Sequence, residues 1–327
     1  MGDKKNYSIK EIARIADVSP ATVSRVMNKT TYVDDDKKSR VLAAIEQTSY
    51  VPNKVARSLF KKSSNIIGFI VPNSANPFFT EIGRYMEQVA FERGYHVIFC
   101  NSSDDLDKEN EYARNLISMN TDGIVLITNN TKARQEITVP VITIDREFEY
   151  ENDFLSVSSD HYLGGKLAVE HLYQKGCRRI AYVGGIDRLS SAALRHRAYM
   201  DFCKEHGLEN ITIDCQFDFN DGLEKTEYLL EHYSEIDGII AANDIVALAV
   251  YKVLRRHEID VPKQVKLIGY DNIRESSRVT PALTTIAQPI QEIAEITANN
   301  IIDIIEGKEI EFRKVVLSVK LIERKTT

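Results

Sequence analysis

From residue 66 onward, the sequence alternates short apolar runs with helical patterns, and this alternation constrains the fold more than any other feature. A continuous apolar run of strand length occurs at residues 66–71, and further strand patterns occur at 95–99, 123–127 and 139–144. Helical patterns separate them at 78–93 and 106–119. Strands buried on both faces and joined by helices are typical of parallel sheets with helices on either side. This region therefore predicts a doubly wound parallel α/β unit.

The same alternation then occurs a second time. Helical patterns are found at 161–175, 192–206, 223–233 and 244–257. Each leads to a strand pattern, at 180–184, near 213–217, at 238–242 and at 265–269, with a short last strand at 283–286. Two similar four-residue motifs, Asp-Gly-Ile-Val at 122–125 and Asp-Gly-Ile-Ile at 237–240, indicate that the two units are related.

A helix at 290–306 and a strand at 315–322 are expected to return and complete one sheet each. The sequence thus predicts a two-lobed body over residues 63–327. Lobe 1 is expected at about 63–160 plus 290–314, and lobe 2 at about 161–289 plus 315–327.

Residues 1–50 have a different pattern, that of a small all-α domain. Ile9, Ile12, Ala13 and Ala16 form the apolar stripe of a first helix. A tight connection at 17–18 leads to a second helix that Ser19 is placed to cap. A third helix is expected after the capping residue Asp34, with Val41, Leu42 and Ile45 on its buried face.

The second helix has one apolar and one polar face. Val23 and Val26 point towards the core, whereas Ala21, Arg25 and Asn28 lie on the opposite side, with Thr22 and Ser24 beside them. The polar face has no acid. Hydroxyls and amides can bind phosphate and arginine can pair with guanine, so the pattern predicts a DNA-binding helix-turn-helix. An ordinary pair of surface helices is the alternative.

The charge distribution agrees with DNA binding by the head alone. Residues 1–62 contain 13 Lys and Arg against 7 Asp and Glu, whereas the remainder contains 29 against 41. The net charges are therefore +6 and −12, although the whole chain has −6. Only the basic head would approach a phosphate backbone favourably.

Residues 51–62 predict a short hinge helix. Pro52 suits a helix start, and Val55, Ala56 and Leu59 form a stripe little more than one turn long. So short a helix is marginal unless it packs against something. Its basic residues suggest DNA, and Leu59 suggests a wedge inserted from the minor groove. A simple basic linker is the alternative.

Polar residues follow the strands of both expected lobes, at the ends where open parallel sheets bind ligands. They are Asn129, Asn130, Asp145, Arg146, Asn243, Asp244, Tyr270, Asp271 and Asn272. Carboxylates, amides and guanidinium without a metal pattern suit a polyhydroxylated ligand, and Phe78, Phe79 and Phe217 could stack on a sugar ring. Taken singly, each of these residues could equally be a cap, a turn residue or a core aromatic.

Several other functions have no supporting motif. No Gly-x-Gly-x-x-Gly follows a strand and no phosphate-binding Gly-Lys-Ser/Thr loop occurs. We therefore expect that the protein is not an enzyme, has no catalytic residues and binds no cofactor. The four cysteines lack metal-ligand or disulfide spacing and are expected to be reduced, with no metal site. The polar N-terminus and the lack of a membrane-span-length apolar run favour a cytoplasmic protein without membrane contact. A transport-type sugar-binding protein would instead need a signal peptide and no basic head.

Motifs along nearly the whole chain resemble the lactose-repressor (LacI/GalR) family of bacterial transcription regulators. They are residues 9–28, Tyr50-Val51-Pro52-Asn53, Val55-Ala56-Arg57-Ser58-Leu59, Asn76-Pro77-Phe78-Phe79, Ile144-Asp145-Arg146, Ala242-Asn243-Asp244, Ile268-Gly269-Tyr270-Asp271 and residues 281–289. The resemblance implies a periplasmic-binding-protein-like body and a homodimer that binds a palindromic DNA operator. It further implies repression of sugar-utilisation genes, controlled by a sugar or sugar phosphate between the lobes. A global catabolite regulator of the same family is the alternative within it.

The resemblance also assigns residues. The expected DNA contacts are Ser19, Pro20, Ala21, Thr22, Ser24, Arg25, Asn28, Asn53, Ala56, Arg57 and Leu59. The expected effector contacts are Phe78, Phe79, Asp145, Arg146, Ser191, Arg195, Phe217, Asn243, Asp271 and Gln288.

Two departures from the family pattern bear on the effector. Ala198 stands where a glycine is usual, so the packing behind Arg195 is expected to differ. Arg146 stands where purine-binding members tend to have tryptophan, which favours a sugar over a nucleobase. The overall look is closest to the sucrose- and ribose-type repressors.

Overall fold

The computed structural model describes residues 7–28, 32–50, 63–128, 137–146, 155–185, 189–310 and 313–327. The chain divides into two compact units, Met1–Ser64 and Asn65–Thr327. None of the helices within the described ranges is long and apolar enough to cross a membrane. The expected hinge helix at 51–62, with Asn53, Ala56, Arg57 and Leu59, lies outside the described residues, as do Asn129 and Asn130.

The first unit contains a helix-turn-helix followed by a third helix. The helices are α1 (Ile9–Ile15), α2 (Pro20–Asn28) and α3 (Asp35–Thr48). Ser8 and Glu11 form a capping box at the start of α1, which satisfies backbone N–H groups that would otherwise have no partner. The buried core consists of Ile12, Ala13, Ala16, Val23, Val41 and Ala44.

One expected core residue of the head is not buried. Leu42 is 51% exposed, so its assignment to the buried face of α3 is wrong. The buried residues on α3 are Val41 and Ala44, which are three positions apart. Leu42 lies about 100° around the helix from Val41 and therefore points away from that stripe.

The second unit contains two six-stranded sheets. The strands are β1 (Ile66–Val71), β2 (His96–Asn101), β3 (Gly123–Leu126), β4 (Val141–Ile144), β5 (Leu155–Ser159), β6 (Ile180–Val183), β7 (Ile211–Ile213), β8 (Gly238–Ala241), β9 (Lys266–Asp271), β10 (Thr284–Ala287), β11 (Lys314–Leu317) and β12 (Lys320–Ile322). The helices are α4 (Pro77–Glu92), α5 (Leu106–Ser118), α6 (His161–Gln174), α7 (Ser190–His206), α8 (Phe219–His232), α9 (Asp244–Arg256), α10 (Arg274–Arg278) and α11 (Ile290–Ile305).

The two sheets have the same strand order. Lobe 1 runs β11-β5-β4-β3-β1-β2 and lobe 2 runs β12-β10-β9-β8-β6-β7. The pairings are parallel except for β10 with β12, which is antiparallel. The aspartates of the two repeated motifs have matching roles. The Asp122 carboxylate accepts a hydrogen bond from the backbone N–H of Asn65, and the Asp237 carboxylate accepts one from the backbone N–H of Arg178, both at 2.7 Å. The predicted pair of related α/β units is therefore confirmed.

The strand expected at 315–322 is wrong as a single element. Strand β11 pairs with β5 in lobe 1, whereas β12 pairs with β10 in lobe 2, because the chain crosses between the lobes at residues 318–319. Residues 315–317 therefore lie in the lobe 1 sheet rather than in lobe 2. The chain also crosses at residue 160, before α6, and at residues 288–289, before α11.

Two strands differ from the sequence pattern. Strand β5, of sequence Leu-Ser-Val-Ser-Ser, had no prediction because its three serines interrupt the apolar run, although four of its five residues are buried. Strand β7 ends at Ile213, so the strand expected near 213–217 lies too far along the chain. Cys215 and Phe217 instead belong to the segment that leads into α8.

Candidate effector site and DNA-reading helix

A cavity of about 620 Å³ lies between the lobes at the carboxyl ends of their strands. All ten residues expected to contact the effector line it. Lobe 1 contributes Phe78, Phe79, Asp145 and Arg146, and lobe 2 contributes Ser191, Arg195, Phe217, Asn243 and Asp271. Gln288 lines the cavity from the segment at residues 288–289, where the chain crosses between the lobes. The structure thus brings together residues that are up to 210 positions apart in the sequence.

Helix starts and strand ends position these side chains. Asn76 caps α4 and Pro77 occupies its first turn, so Phe78 and Phe79 stand at the helix N-terminus with ring centroids 5.2 Å apart. Asn243 caps α9 by accepting a hydrogen bond from the Val246 N–H at 2.8 Å. Asp145 directly follows β4 and has a positive φ of 68°, which turns the chain away from the sheet at the cavity.

Arg195 is held on three sides. Its Nη1 donates a 2.7 Å hydrogen bond to the Ala242 carbonyl, and its guanidinium carbon lies 3.6 Å from the centre of the Tyr270 ring. Its Nε and Nη2 are 3.4 and 3.3 Å from His161 Nδ1. A guanidinium fixed in this way presents its remaining N–H groups in a defined direction.

The two cavity carboxylates have opposite electrostatic environments. Burial would raise the pKa of Asp145, but His161, Arg195 and Arg146 outweigh that effect and hold the pKa well below its usual value. For Asp271, burial dominates over Arg195 and the hydrogen bond from Gln288, and it raises the pKa to about 7. Gln288 Nε2 donates to Asp271 Oδ1 at 2.7 Å.

Several buried polar atoms of the cavity have no hydrogen-bond partner among the described residues. They are Arg146 Nε and Nη1, Asn243 Nδ2, Gln288 Oε1 and Asp145 Oδ1. Arg146 is only 7% exposed, and its Nη1 lies 3.7 Å from Asp104 Oδ1. Because unpaired buried polar groups are costly, this set of donors and two acceptors is suited to a ligand with several hydroxyls.

The departure at Ala198 has a structural explanation. Helices α6 and α7 approach so closely that a Cβ on Gly165 would lie 2.5 Å from the Arg195 carbonyl oxygen and 3.0 Å from the Ala198 Cβ. The missing side chain at position 165 leaves room for the Ala198 methyl group. Packing behind Arg195 is therefore close, with the glycine on the opposite helix.

Three polar residues expected at the strand ends, Asp244, Tyr270 and Asn272, are not among the described residues that line this cavity. Tyr270 instead lies behind Arg195, whose guanidinium carbon is 3.6 Å from its ring centre. Asp244 instead accepts hydrogen bonds from Thr285 Oγ1 at 2.7 Å and from the Ile273 N–H at 2.9 Å. Asn272 accepts one from Arg324 Nη2. Asp244 and Asn272 thus hold the segment after β9, and the inclusion of all three residues in the polar set at the ligand end was wrong.

Other cavity residues were not predicted. They include Asn73, Asp104, Asp218, Asp221 and Lys225. Asp104 lies in a turn with φ 57°, and Asp218 caps α8, so local patterns assign these residues to turns and caps. His161, behind the cavity, follows the unpredicted strand β5 and had no sequence signal.

The head presents the polar face expected of a DNA-reading helix. Ser19 Oγ accepts from the Thr22 N–H at 3.2 Å and lies 2.9 Å from Thr22 Oγ1, which confirms Ser19 as a cap of α2. Ser19, Pro20, Ala21 and Arg25 are exposed, Thr22 and Ser24 are half-buried, and Asn28 is the last residue of the helix.

Comparison with known proteins identifies both parts of the chain. Residues 8–53 match the family model for bacterial regulatory proteins of the lacI family, and residues 169–327 match that for a periplasmic binding protein-like domain. The ribose operon repressor of Halalkalibacterium halodurans is 34% identical over 323 residues, which cover 98% of this chain and 97% of that protein.

The chain belongs to the lacI family of bacterial regulatory proteins. A second relative within it is the sucrose operon repressor of Pediococcus pentosaceus, 33% identical over 96% of this chain and 98% of that protein. The resemblance to ribose- and sucrose-type repressors is confirmed.

Solved structures of the lacI family confirm the fold. The lac repressor dimer bound to operator and the anti-inducer ONPF has a TM-score of 0.87, with 24% identity, 98% of this chain and 99% of that chain covered. A LacI family transcriptional regulator from Enterococcus faecium with bound ribose has a TM-score of 0.73, with 28% identity, 80% of this chain and 98% of that chain covered. As a lacI-family member with the family's head and body, this chain is a DNA-binding transcription repressor, so the alternative of a transport-type protein without DNA function is wrong.

Proposed function

We propose that this repressor responds to ribose, or to a pentose that presents its hydroxyls in the same way, and controls genes for using that sugar. The observation that carries the proposal is the set of buried donors and acceptors at Arg146, Asn243, Gln288 and Asp145 that have no hydrogen-bond partner in the described part of the chain. A monosaccharide has only hydroxyl and ring oxygens with which to satisfy them. Phe78, Phe79 and Phe217 supply flat apolar surface beside them.

Each charged residue has a separate role in this proposal. Asp145 and Asp271 accept hydrogen bonds from sugar hydroxyls, while Arg146 and Arg195 donate to sugar oxygens. Charge-assisted hydrogen bonds of this kind are stronger than neutral ones, and the lobes contribute one acid and one arginine each. Support for a pentose comes from the relatives, since the H. halodurans protein is a ribose operon repressor and the E. faecium structure contains ribose.

The proposed response couples the two units. The chain acts as a homodimer in the cytoplasm, where two heads bind a palindromic operator. If sugar binding changes the affinity for operator by some factor, operator binding must change the affinity for sugar by the same factor.

Titration calorimetry with D-ribose, D-arabinose, D-xylose and sucrose tests the effector. We expect D-ribose to bind most tightly, and an operator selected from a random DNA pool to bind with an affinity that changes when ribose is added. Binding of sucrose without binding of any pentose would overturn the effector assignment. DNA selection that returns no palindromic sequence would contradict the dimeric operator model.

A further inference from the structure

We propose that His161, which lies behind the cavity wall, is a positioning residue for the effector. It holds Asp145 of lobe 1 and Arg195 of lobe 2 in the orientations in which both reach the ligand. The inference rests on the proposed function of the cavity as a sugar site. His161 itself is not among the residues that line the cavity, and it is 2% exposed.

The imidazole contacts both lobes at once. On one side, its Nε2 is 3.1 Å from the Asp145 carbonyl oxygen and 3.3 Å from Asp145 Oδ1. On the other side, its Nδ1 is 3.4 Å from Arg195 Nε, 3.3 Å from Arg195 Nη2 and 3.4 Å from Tyr270 Oη. The ring thus stands between the two charged groups that the proposed function assigns to the sugar.

The chemistry of the partners fixes the direction of these hydrogen bonds. A guanidinium has only donors, so Nδ1 of His161 must accept from Arg195. The proton of a neutral imidazole then sits on Nε2, which donates to the Asp145 carbonyl oxygen and lies 3.3 Å from the carboxylate Oδ1. A directed chain from Arg195 through His161 to Asp145 follows, and only a side chain with an acceptor and a donor at this spacing can sustain it.

These hydrogen bonds leave some N–H groups of Arg195 available to a ligand. Of the five N–H groups of Arg195, one on Nε and one on Nη2 point to His161, and one on Nη1 points to Ala242. One N–H on Nη1 and one on Nη2 remain for a ligand. Asp145 Oδ2 is held separately, since it accepts from Ser191 Oγ at 3.3 Å.

The residues around His161 allow it to approach Arg195 and Tyr270 closely. His161 is the first residue of α6, directly after the capping residue Asp160 and the first chain crossing. A Cβ on Gly164 would lie 2.2 Å from Tyr270 Oη, and one on Gly165 would lie 2.5 Å from the Arg195 carbonyl. The two glycines therefore let the first turn of α6 approach Tyr270 and Arg195. His161 also lies next to a crossing between the lobes, and in hinge motions such positions absorb the change in backbone torsions.

Two substitutions and a control separate positioning from packing. His161→Phe keeps the ring volume and removes both polar atoms, whereas His161→Gln provides an amide that can donate and accept. His171→Phe is the control, because His171 lies on the same helix, is 5% exposed and contacts Thr327 Oγ1 rather than the cavity. By calorimetry with D-ribose, we expect at least tenfold weaker binding for His161→Phe, recovery to within about threefold for His161→Gln, and less than twofold change for His171→Phe.

A double-mutant cycle tests whether His161 acts through Asp145. In an Asp145→Asn background, His161→Phe should change ribose affinity less than threefold, since the group it positions is already altered. Independent, multiplying effects would overturn the proposal, as would wild-type affinity in His161→Phe. If the His161→Phe protein does not fold, His161→Asn takes its place in the experiment. The asparagine amide is one methylene shorter than that of glutamine and cannot reach both Asp145 and Arg195. A ribose affinity of His161→Asn equal to that of His161→Gln would therefore overturn the proposal. Absence of pentose binding by the wild-type protein would instead refute the proposed function.

Discussion

Arg146 is a buried guanidinium with two nitrogens that have no hydrogen-bond partner within the described ranges. Replacing it by methionine, which fills a similar volume, should leave the melting temperature of the sugar-free protein unchanged or higher, because an incompletely paired buried charge contributes little stability. The same change should weaken ribose binding by about 1.5–3 kcal/mol. Scanning calorimetry and ribose titration measure the two effects.

Arg146→Lys is the matched comparison, since it keeps the charge but loses the planar fork. We expect affinity between that of Arg146→Met and the wild type. Wild-type ribose affinity in Arg146→Met would show that this side chain does not bind the sugar.

We expect Asp271 to make the affinity for ribose depend on pH. Its pKa in the empty protein is raised to about 7, chiefly by burial. A sugar hydroxyl that donates to the carboxylate favours its ionised form, so below about pH 7 binding must release a proton. Affinity should therefore fall as the pH drops below 7 and level off above it, by at most tenfold per pH unit.

Titrations from pH 5.5 to 8.5, each in two buffers of different ionisation enthalpy, measure this dependence. Asp271→Asn should remove it because the amide does not titrate. An identical affinity at pH 6 and pH 8 in the wild type would contradict the role of the carboxylate.

At the scale of elements, substitutions at Ser19 separate two roles of the start of α2. One is the stability that the cap gives to the helix, and the other is contact with DNA. Ser19→Ala removes the acceptor for the Thr22 N–H and should destabilise the head by about 0.5–2 kcal/mol. Ser19→Asp should restore the cap, because a carboxylate accepts the same hydrogen bond and suits a helix N-terminus. Its charge would nevertheless repel DNA phosphates.

Amide exchange at α2 in the full chain measures stability, and operator titration measures affinity. We expect fast exchange in Ser19→Ala alone and weak operator binding in Ser19→Asp. Unchanged operator affinity in Ser19→Asp would place the start of α2 away from the DNA backbone.

Elements with strong periodicity could be predicted from the sequence, and those without it could not. The continuous apolar runs of β1 and β3 and the stripes of α1 are local signals. Strand β5 has no such signal, since burial of its serines depends on neighbours β4 and β11. The division of residues 315–322 between two sheets is likewise set by distant pairing partners.

The candidate site shows the same limit. Its ten expected residues could be placed together because they follow strand ends or match family motifs, and parallel topology brings strand ends to one edge. His161 could not be found in this way, because its role depends on contacts with Asp145, Arg195 and Tyr270 across two lobes.

For the whole molecule, the basic head and acidic body predict a steep salt dependence of operator binding. The head has a net charge of +6 and the remainder −12, so affinity comes from the head while the body is repelled by DNA. The logarithm of the affinity should fall with the logarithm of salt concentration, with a slope of about −0.9 per phosphate neutralised. Fluorescence anisotropy with labelled operator measures the slope.

Arg25→Ala provides the control. If Arg25 reads a base, specific binding should weaken by about 1–3 kcal/mol, with relaxed preference at one operator position and a nearly unchanged slope. A slope near zero in the wild type would contradict phosphate-dominated binding.

The crossing between β11 and β12 has a consequence for how the protein is made. Ribosomes release a chain from its N-terminus, so the three head helices emerge first, while both sheets lack an edge strand until residues 314–322 have emerged. Until then, β5 and β10 each present an unpaired edge to other nascent chains. During translation, the DNA-reading helix is therefore finished long before either wall of the sugar site.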